Sequence, residues 1–514
     1  MDKTGNLILQ KSALELQERL DFNGLTSIVL VQVCLDHIEL LNRRGLKLKA
    51  VISVDDSREK VIARARLLDE ERRQGRLRSR LHGIPIIVKD AIVTDSSLGM
   101  PTTVGSHVFS HLKAKRNATL VDKLLDAGLI VLGKANMTEF CGLKGTEPIG
   151  WSSVTGQTLS PYRREDLPEE QQPVPGGSSS GSAVSVTAGF TPLAVGTETA
   201  GSTVLPASCN GLYGMKLTPG TVPTDGVFCL SESFDGIGVM ARNPADLAAL
   251  AEVLLVRDGD GVHGVGTYAE TTTVMSGLLF GLAIGVVAST WGLYDAEKWT
   301  SPDVVSSYEN AVNLVRASGA RVVYPLEATD HETLKHKGET LTTVAYAEFP
   351  AQVEQFITNF EDDRRIKNLA DIIRWNEEYA DMALPEPYSS QSELIKAKNS
   401  SMTESTRLET VTALRTLAGP QGIGKVMAEH DLDIILAPSD STLVSFAACA
   451  GWPIATVPLS RWEKNGQPYG FFVVARDGRQ DLLFKFMGGY HKVFPEVERP
   501  SGTFVEGAEE FFAY

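Results

Sequence analysis

Cysteine is scarce in this chain. The 514 residues contain five cysteines, and none of them forms a CxxC pair: Cys34, Cys141, Cys209, Cys229 and Cys449. Such a sparse, odd set in a long chain is typical of reduced thiols inside the cell, because a disulfide framework needs dense, paired cysteines. We therefore predict a cytoplasmic protein without a disulfide framework.

Motifs for metals and nucleotides are also lacking. The nine histidines include no HExxH motif and no His/Cys cluster with the spacing of zinc ligands. The glycine-rich stretch at 176–182 has neither the P-loop pattern GxxxxGK[ST] nor the dinucleotide pattern GxGxxG. We expect no metal and no cofactor.

Positive charge and long apolar runs are limited. Lysine and arginine number 49 against 64 aspartates and glutamates, which gives a net charge of −15. This balance disfavours nucleic acid and anionic membranes as partners, since both attract clustered Lys and Arg. The most apolar stretch, 277–288, is too short to span a bilayer, and residues 1–20 lack the apolar core of a signal peptide. We expect no nucleic-acid partner and no membrane anchor.

The chain does contain an alternation of helical and extended patterns. Residues 27–44 and 57–74 have helical periodicity, and apolar runs at 84–88 and 130–132 are typical of strands buried on both faces. The alternation predicts the α/β class, with a single large domain whose mixed, mostly parallel sheet is surrounded by helices. Further strands are expected at 193–196, 280–287, 321–324, 433–437 and 454–457.

We assign the domain to residues 1–514, with a core at about 25–495. Residues 331–400 are polar, charged and mostly helical in pattern, which predicts a helical insertion or a lid. Asn117 is expected to cap a helix, and Asn243 is expected to cap another that begins with Pro244.

A run of glycine and serine at 176–182 has two interpretations. Such stretches are usually flexible linkers, but this one leads directly into an apolar, helix-length segment and a strand. A second small-residue segment, 196–202, follows the strand predicted at 193–196. A loop of this kind can expose a serine hydroxyl while its N–H groups point at one spot, as an oxyanion hole requires.

A serine nucleophile needs a base that removes its proton. None of the nine histidines lies in a triad-like motif, whereas Lys89 follows the buried strand predicted at 84–88. Most lysines are simply solvated, so the position of Lys89 is by itself weak evidence that it is the base. A lysine acts as a base only if its surroundings keep it neutral.

Several segments in one order resemble the amidase-signature hydrolases, over about residues 25–495. The form of 196–199 and the segment 369–376 are most similar to the peptide-amidase and fungal-amidase branch. The matching segments are 81–90, 133–137, 176–202, 210–216, 235–245, 433–438 and 451–458.

The resemblance implies a catalytic triad. Ser202 would be the nucleophile that forms an acyl-enzyme, Ser178 would bridge it to Lys89, and Lys89 would be the base. A cis peptide would join Gly177 to Ser178. The oxyanion hole would be formed by the backbone N–H groups of Thr199, Ala200, Gly201 and Ser202, with Ser178 and Cys141 lining the substrate cleft.

Four positions depart from the pattern of the family. Ala200 stands where many members have Gly or Asp, and Leu217 replaces the usual Pro. Glu198 replaces the commoner Asp and Val204 replaces Arg, so the acid–arginine pair that braces this loop in relatives cannot form. The departures leave the three reacting groups intact but predict an altered loop.

The leading hypothesis is an amidase that cleaves a carboxamide of a small molecule or peptide. One alternative is an amidotransferase subunit that releases ammonia from glutamine, and another is a catalytically silent binding protein of the same fold. The resemblance leaves the natural substrate and the oligomeric state open, a homodimer included.

Overall fold

The computed structural model describes residues 8–22, 24–255, 279–294, 296–494 and 496–503. Within these ranges the strands are β1 Val51–Val54, β2 Pro85–Lys89, β3 Ile130–Ala135, β4 Trp151–Ser152, β5 Gly156–Gln157, β6 Leu193–Glu198, β7 Tyr213–Lys216, β8 Gly236–Ala241, β9 Ala283–Val287, β10 Arg321–Leu326, β11 Ile434–Pro438, β12 Ile454–Arg461 and β13 Pro468–Ala475. Strands β4 and β5 form a small hairpin, and the others form one sheet in the order β1-β3-β2-β6-β8-β7-β12-β13-β11-β9-β10.

The large sheet is mixed. Parallel pairs join β3, β2 and β6 on one side and β11, β9 and β10 on the other. The pairs between these groups, and the β1–β3 pair at one edge, are antiparallel. The predicted α/β class and mixed sheet are confirmed. Antiparallel pairing is more extensive than the sequence pattern indicates, because β7–β8 and β12–β13 are joined by loops without a crossover helix.

Helices pack around this sheet. Their bounds are α1 Ala13–Asp21, α2 Ser27–Ile38, α3 Glu59–Arg73, α4 Thr119–Asp126, α5 Ser180–Thr187, α6 Val204–Cys209, α7 Pro244–Leu254, α8 Ala296–Trp299, α9 Pro302–Ala317, α10 Leu341–Ile357, α11 Leu369–Glu378, α12 Ala380–Ala383, α13 Ser392–Lys398, α14 Glu404–Ala418, α15 Gly424–Glu429, α16 Leu443–Ala450 and α17 Gln480–Val493.

Two predicted helix caps have different outcomes. The side chain of Asn243 accepts a 2.8 Å hydrogen bond from the N–H of Asp246, which confirms it as the cap of α7. The prediction for Asn117 is wrong, because α4 begins after Ala118. The Asn117 side chain accepts instead from the N–H of Asp95, a contact distant in sequence.

Residues 331–400 contain α10 to α13. Glu348 of α10 is buried and accepts hydrogen bonds from the hydroxyl of Ser231 and from the N–H and hydroxyl of Ser233. It also pairs with Arg407 of α14. The helical segment therefore docks on the loop that precedes β8, and its action as a lid stays a prediction.

Two further findings concern the whole described chain. None of its helices combines the length and the apolar character needed to cross a bilayer. All five cysteines are free thiols.

Candidate active site

Strands β2 and β6 run parallel, and their carboxyl ends bring two distant segments together. Val88 pairs with Val195 in this register, so Lys89 at the end of β2 lies beside Thr197. The Lys89 Nζ atom donates a 2.8 Å hydrogen bond to Oγ of Ser178 and another of 2.8 Å to Oγ1 of Thr197. Two of the three predicted catalytic residues are thus in direct contact.

The Lys89 side chain has no exposed surface. Burial lowers the pKa of Lys89, because desolvation disfavours the ammonium form, while the nearby Cys141, Asp235 and Glu198 act in the opposite direction. Burial therefore shifts Lys89 toward the neutral amine, the form of lysine that can accept a proton.

The Gly/Ser run is an ordered part of the fold and not a linker. The peptide between Gly177 and Ser178 is cis, and the carbonyl of Ser178 accepts a 3.0 Å hydrogen bond from the N–H of Thr138. Helix α5 begins at Ser180. At Gly181 a Cβ atom would lie 2.1 Å from the carbonyl oxygen of Ala50, so glycine allows this helix to approach the residue before β1 closely.

Ser202 lies on the loop between β6 and α6 and is partly exposed. Gly201 has a φ of +88°, a conformation that favours glycine. The carbonyl of Ser202 accepts a 3.0 Å hydrogen bond from the N–H of Ser179, which ties the two serine segments together. Among the described residues, the Ser202 hydroxyl makes no hydrogen bond with that of Ser178.

The loop also carries unused backbone donors. No N–H group of Thr199, Ala200, Gly201 or Ser202 donates to another described residue. Free N–H groups on a single turn are the donors that an oxyanion requires.

Thr199 is held from two sides. Its hydroxyl donates a 2.6 Å hydrogen bond to Oδ1 of Asp235, and its carbonyl accepts a 2.7 Å bond from Nζ of Lys216. Lys216 is buried, and Asp235 is partly exposed. The first residue of the loop is therefore fixed by a carboxyl group and an amine that the sequence interpretation did not assign to the site.

Three of the four departures from the family pattern have structural explanations, and nothing in the structure explains Ala200. Oε2 of Glu198 accepts hydrogen bonds of 2.7 and 2.9 Å from the N–H groups of Thr203 and Val204. The acid thus braces the loop through the main chain, without an arginine. The N–H of Leu217 donates a 3.0 Å bond to the carbonyl of Ile237, a bond that proline lacks the hydrogen to make.

Cys141 lies on the Lys89 side of the site. Its Sγ atom is 4.0 Å from Oγ1 of Thr197, and the residue is partly exposed. Phe140 and Cys141 both have positive φ, +50° and +57°, a strained conformation for residues other than glycine. The structure brings Cys141 next to Lys89, and its contact with substrate stays a prediction.

One cavity borders Asp235, and a larger one is lined by residues that are neighbours of Ser178 and Ser202 in the sequence. The larger cavity has a volume of about 770 Å³, and its lining includes Gly176, Leu205 and the apolar side chains of Ile149 and Val174. Its volume lies within the range of small-molecule sites. The smaller cavity is polar and has a volume of about 250 Å³.

Three contributors were missed at the sequence level: Thr197, Lys216 and Asp235. Thr197 could have been found, because parallel strands ending at one edge place it beside Lys89. Lys216 and Asp235 reach the loop through the antiparallel β7–β8 pair, whose strands the sequence pattern did not predict. Within the described ranges, no group of three His, Cys, Asp or Glu residues could hold a metal ion.

Comparison with known proteins gives matches over most of the chain. The sequence model of the family described as Amidase matches residues 30–484. A probable amidase of Arabidopsis thaliana is 30% identical over 88% of this chain and 84% of its own length. The solved peptide amidase of Stenotrophomonas maltophilia superposes with a TM-score of 0.84 and 32% identity, covering 96% of this chain and 98% of that one.

A different relative is also similar in sequence. It is one of the subunits of the glutamyl-tRNA(Gln) amidotransferase of Chloroflexus aurantiacus, and it is 34% identical over 68% of this chain. The match covers 65% of that relative's length, which is less than two thirds.

Proposed function

The chain belongs to the Amidase family, and from this premise we propose that it is a serine hydrolase of carboxamide bonds with a Ser202–Ser178–Lys89 triad. The observation that carries the proposal is the buried hydrogen bond from Lys89 to Ser178, beside a loop with free N–H groups. The substrate would be a small molecule or peptide with an amide group.

The proton would move through Ser178. Ser202 Oγ attacks the amide carbonyl and passes its proton to Ser178, which passes its own to neutral Lys89. The resulting oxyanion accepts hydrogen bonds from the N–H groups of the 199–202 loop. The proton then returns to the leaving nitrogen, an amine or ammonia departs, and water hydrolyses the acyl-enzyme.

This path requires the hydroxyls of Ser178 and Ser202 to meet. They are not hydrogen-bonded in the described structure, and catalytic hydrogen bonds often tighten only when substrate is bound. The backbone bond between Ser179 and Ser202 joins the two segments, and rotation of the Ser178 and Ser202 side chains would complete the relay.

Covalent labelling tests the nucleophile. A fluorophosphonate probe should modify Ser202 in the intact protein, and Ser202→Ala should lose both labelling and amide turnover while keeping its thermal midpoint. Ser400→Ala removes an exposed serine as the matched control and should label normally. Labelling that persists in Ser202→Ala would assign the nucleophile to another residue. An intact protein that takes up no label at all would favour the catalytically silent alternative.

The amidotransferase alternative is favoured by the sequence match to the Chloroflexus aurantiacus relative. The near-complete coverage of the peptide amidase structure instead favours an enzyme that acts alone. Gel filtration of the purified chain, followed by assay of each fraction against a panel of amides and esters, separates the two. Turnover of simple amides by the isolated chain supports the amidase. Activity that appears only as glutaminase in the presence of partner proteins would support the amidotransferase.

A further inference from the structure

We propose that Lys216 is a positioning residue of the oxyanion loop, acting through the Thr199–Ala200 peptide group. This inference rests on the proposed serine-hydrolase function. It concerns a second buried lysine, distinct from the base Lys89.

Lys216 is the last residue of β7 and has no exposed surface. Its Nζ atom donates 2.7 Å hydrogen bonds to the carbonyl oxygens of Thr199 and Phe234. Within the described residues it forms no ion pair, and Glu198 and Asp235 act on it only at longer range. The Lys216 amine therefore connects the 199–202 loop to the segment before β8 through two hydrogen bonds.

The bond to Thr199 affects the neighbouring donor directly. The carbonyl of Thr199 and the N–H of Ala200 belong to one peptide group, so a hydrogen bond to the oxygen polarises the N–H and strengthens it as a donor. A charged donor makes this effect larger. The N–H of Ala200 is one of the free groups of the loop.

The rest of Thr199 is fixed by a second contact. Its hydroxyl donates to Oδ1 of Asp235, whose Oδ2 accepts a 2.7 Å bond from the N–H of Leu230. With its carbonyl and its hydroxyl both held, Thr199 cannot rotate its peptide group away from the site. Preorganised donors of this kind stabilise charge without reorganising during the reaction.

The burial of Lys216 is informative in itself. A buried amine without an ion-pair partner is unfavourable for folding if it carries charge, and two carbonyl acceptors could be satisfied by a neutral donor. Burial lowers the pKa of Lys216, because desolvation disfavours the ammonium form, while Glu198 and Asp235 act in the opposite direction. Negative charge that develops on the substrate oxygen favours the ammonium form, so this amine stabilises the transition state more than the resting protein.

Lys216→Met tests the proposal, because it keeps the apolar stem and removes the amine. We expect kcat to fall by about 10- to 100-fold, less than the roughly 100- to 1,000-fold cost of removing an oxyanion donor, because the N–H of Ala200 remains in place. KM should change little. The affinity for an aldehyde analogue of the substrate, which forms a tetrahedral adduct, should weaken in parallel with kcat. The position of the rising limb of the pH–rate profile should be unchanged, because Lys89 remains the base.

Two controls separate positioning from folding. Leu250→Ala shortens a fully buried side chain of α7 away from the site and should lower the thermal midpoint without lowering kcat. Lys216→Gln retains N–H donors without the charge and should have an intermediate kcat.

The outcomes are distinct. Wild-type kcat and analogue affinity in Lys216→Met would overturn the inference while leaving the proposed function intact, whereas an inactive, unlabelled wild type would overturn the proposed function. Loss of folded protein in both Lys216 variants would assign this residue a purely structural role.

Discussion

Lys89 and Ser178, 89 positions apart in the chain, are joined by a 2.8 Å hydrogen bond in a buried site. The bond links the end of β2, an interior strand of the sheet, to Ser178, the second residue of a cis peptide. Because the amine is desolvated there, its protonation state controls both the proposed reaction and part of the stability.

The rate should depend on the neutral form of Lys89. We expect kcat/KM to rise through neutral pH toward an alkaline plateau, since a base must be deprotonated to act. The midpoint of this rise should lie below about pH 10.4, the ordinary pKa of lysine, because burial lowers the pKa of Lys89. Lys89→Arg should be nearly inactive, since guanidinium stays charged. Near-normal turnover by Lys89→Arg would show that residue 89 is not the base.

Stability should respond to the same titration. Between the lowered pKa of folded Lys89 and about 10.4, the unfolded chain binds more protons, so the free energy of unfolding rises with pH across this window. Lys89→Met lacks this contribution. We therefore expect Lys89→Met to have the higher free energy of unfolding. The difference between the variant and the wild type should be largest at neutral pH and should shrink toward pH 10. Urea unfolding at both pH values measures the difference, and a constant difference would contradict the lowered pKa.

The Leu217 N–H should matter for stability. Leu217→Pro removes the hydrogen bond to the Ile237 carbonyl and leaves that buried acceptor unpaired. Leu217→Ala truncates the same side chain but keeps the N–H, so it is the matched control. We expect the proline variant to be about 1–3 kcal/mol less stable than the alanine variant, measured by urea unfolding. Equal stability would mean that this position accepts the proline common in relatives.

Contact between α10 and the loop before β8 should support activity. Glu348→Ala removes the acceptor of Ser231 and Ser233, and we expect it to lower the thermal midpoint and kcat/KM together, with about 3 kcal/mol lost in stability. Glu404→Ala removes the exposed carboxylate that pairs with the same Arg407 and should leave both values near wild type. Similar effects in the two variants would assign the loss to Arg407 and not to the loop.

Activity should not need a metal ion. The proposed route uses a serine nucleophile and backbone donors, so it requires no Lewis acid. Dialysis against a chelator should leave turnover of the best amide in the panel unchanged. Loss of turnover that only zinc restores would contradict the proposed mechanism.

Local signals in the sequence were sufficient for some parts of the fold and site. The apolar run before Lys89 predicted a buried strand, and β2 ends at that residue. The cap at Asn243 was also predicted, because it depends on neighbours in the chain. Asn117 failed as a cap because its partner, Asp95, is a residue of another segment. Lys216 and Asp235 were missed for the same reason, since the β7–β8 pairing that places them is nonlocal.

The hydrogen bonds from the main chain to Glu198 affect which substitutions the 199–204 segment can accept. Every residue except proline has a backbone N–H group, so the carboxylate requires only that residue 204 is not proline. Val204 is instead part of an apolar cluster with Phe234 and Val444. Because the acid bonds the main chain, the apolar cluster and not the carboxylate determines which side chain residue 204 carries. Residue 204 can then vary with the core while the loop keeps its shape.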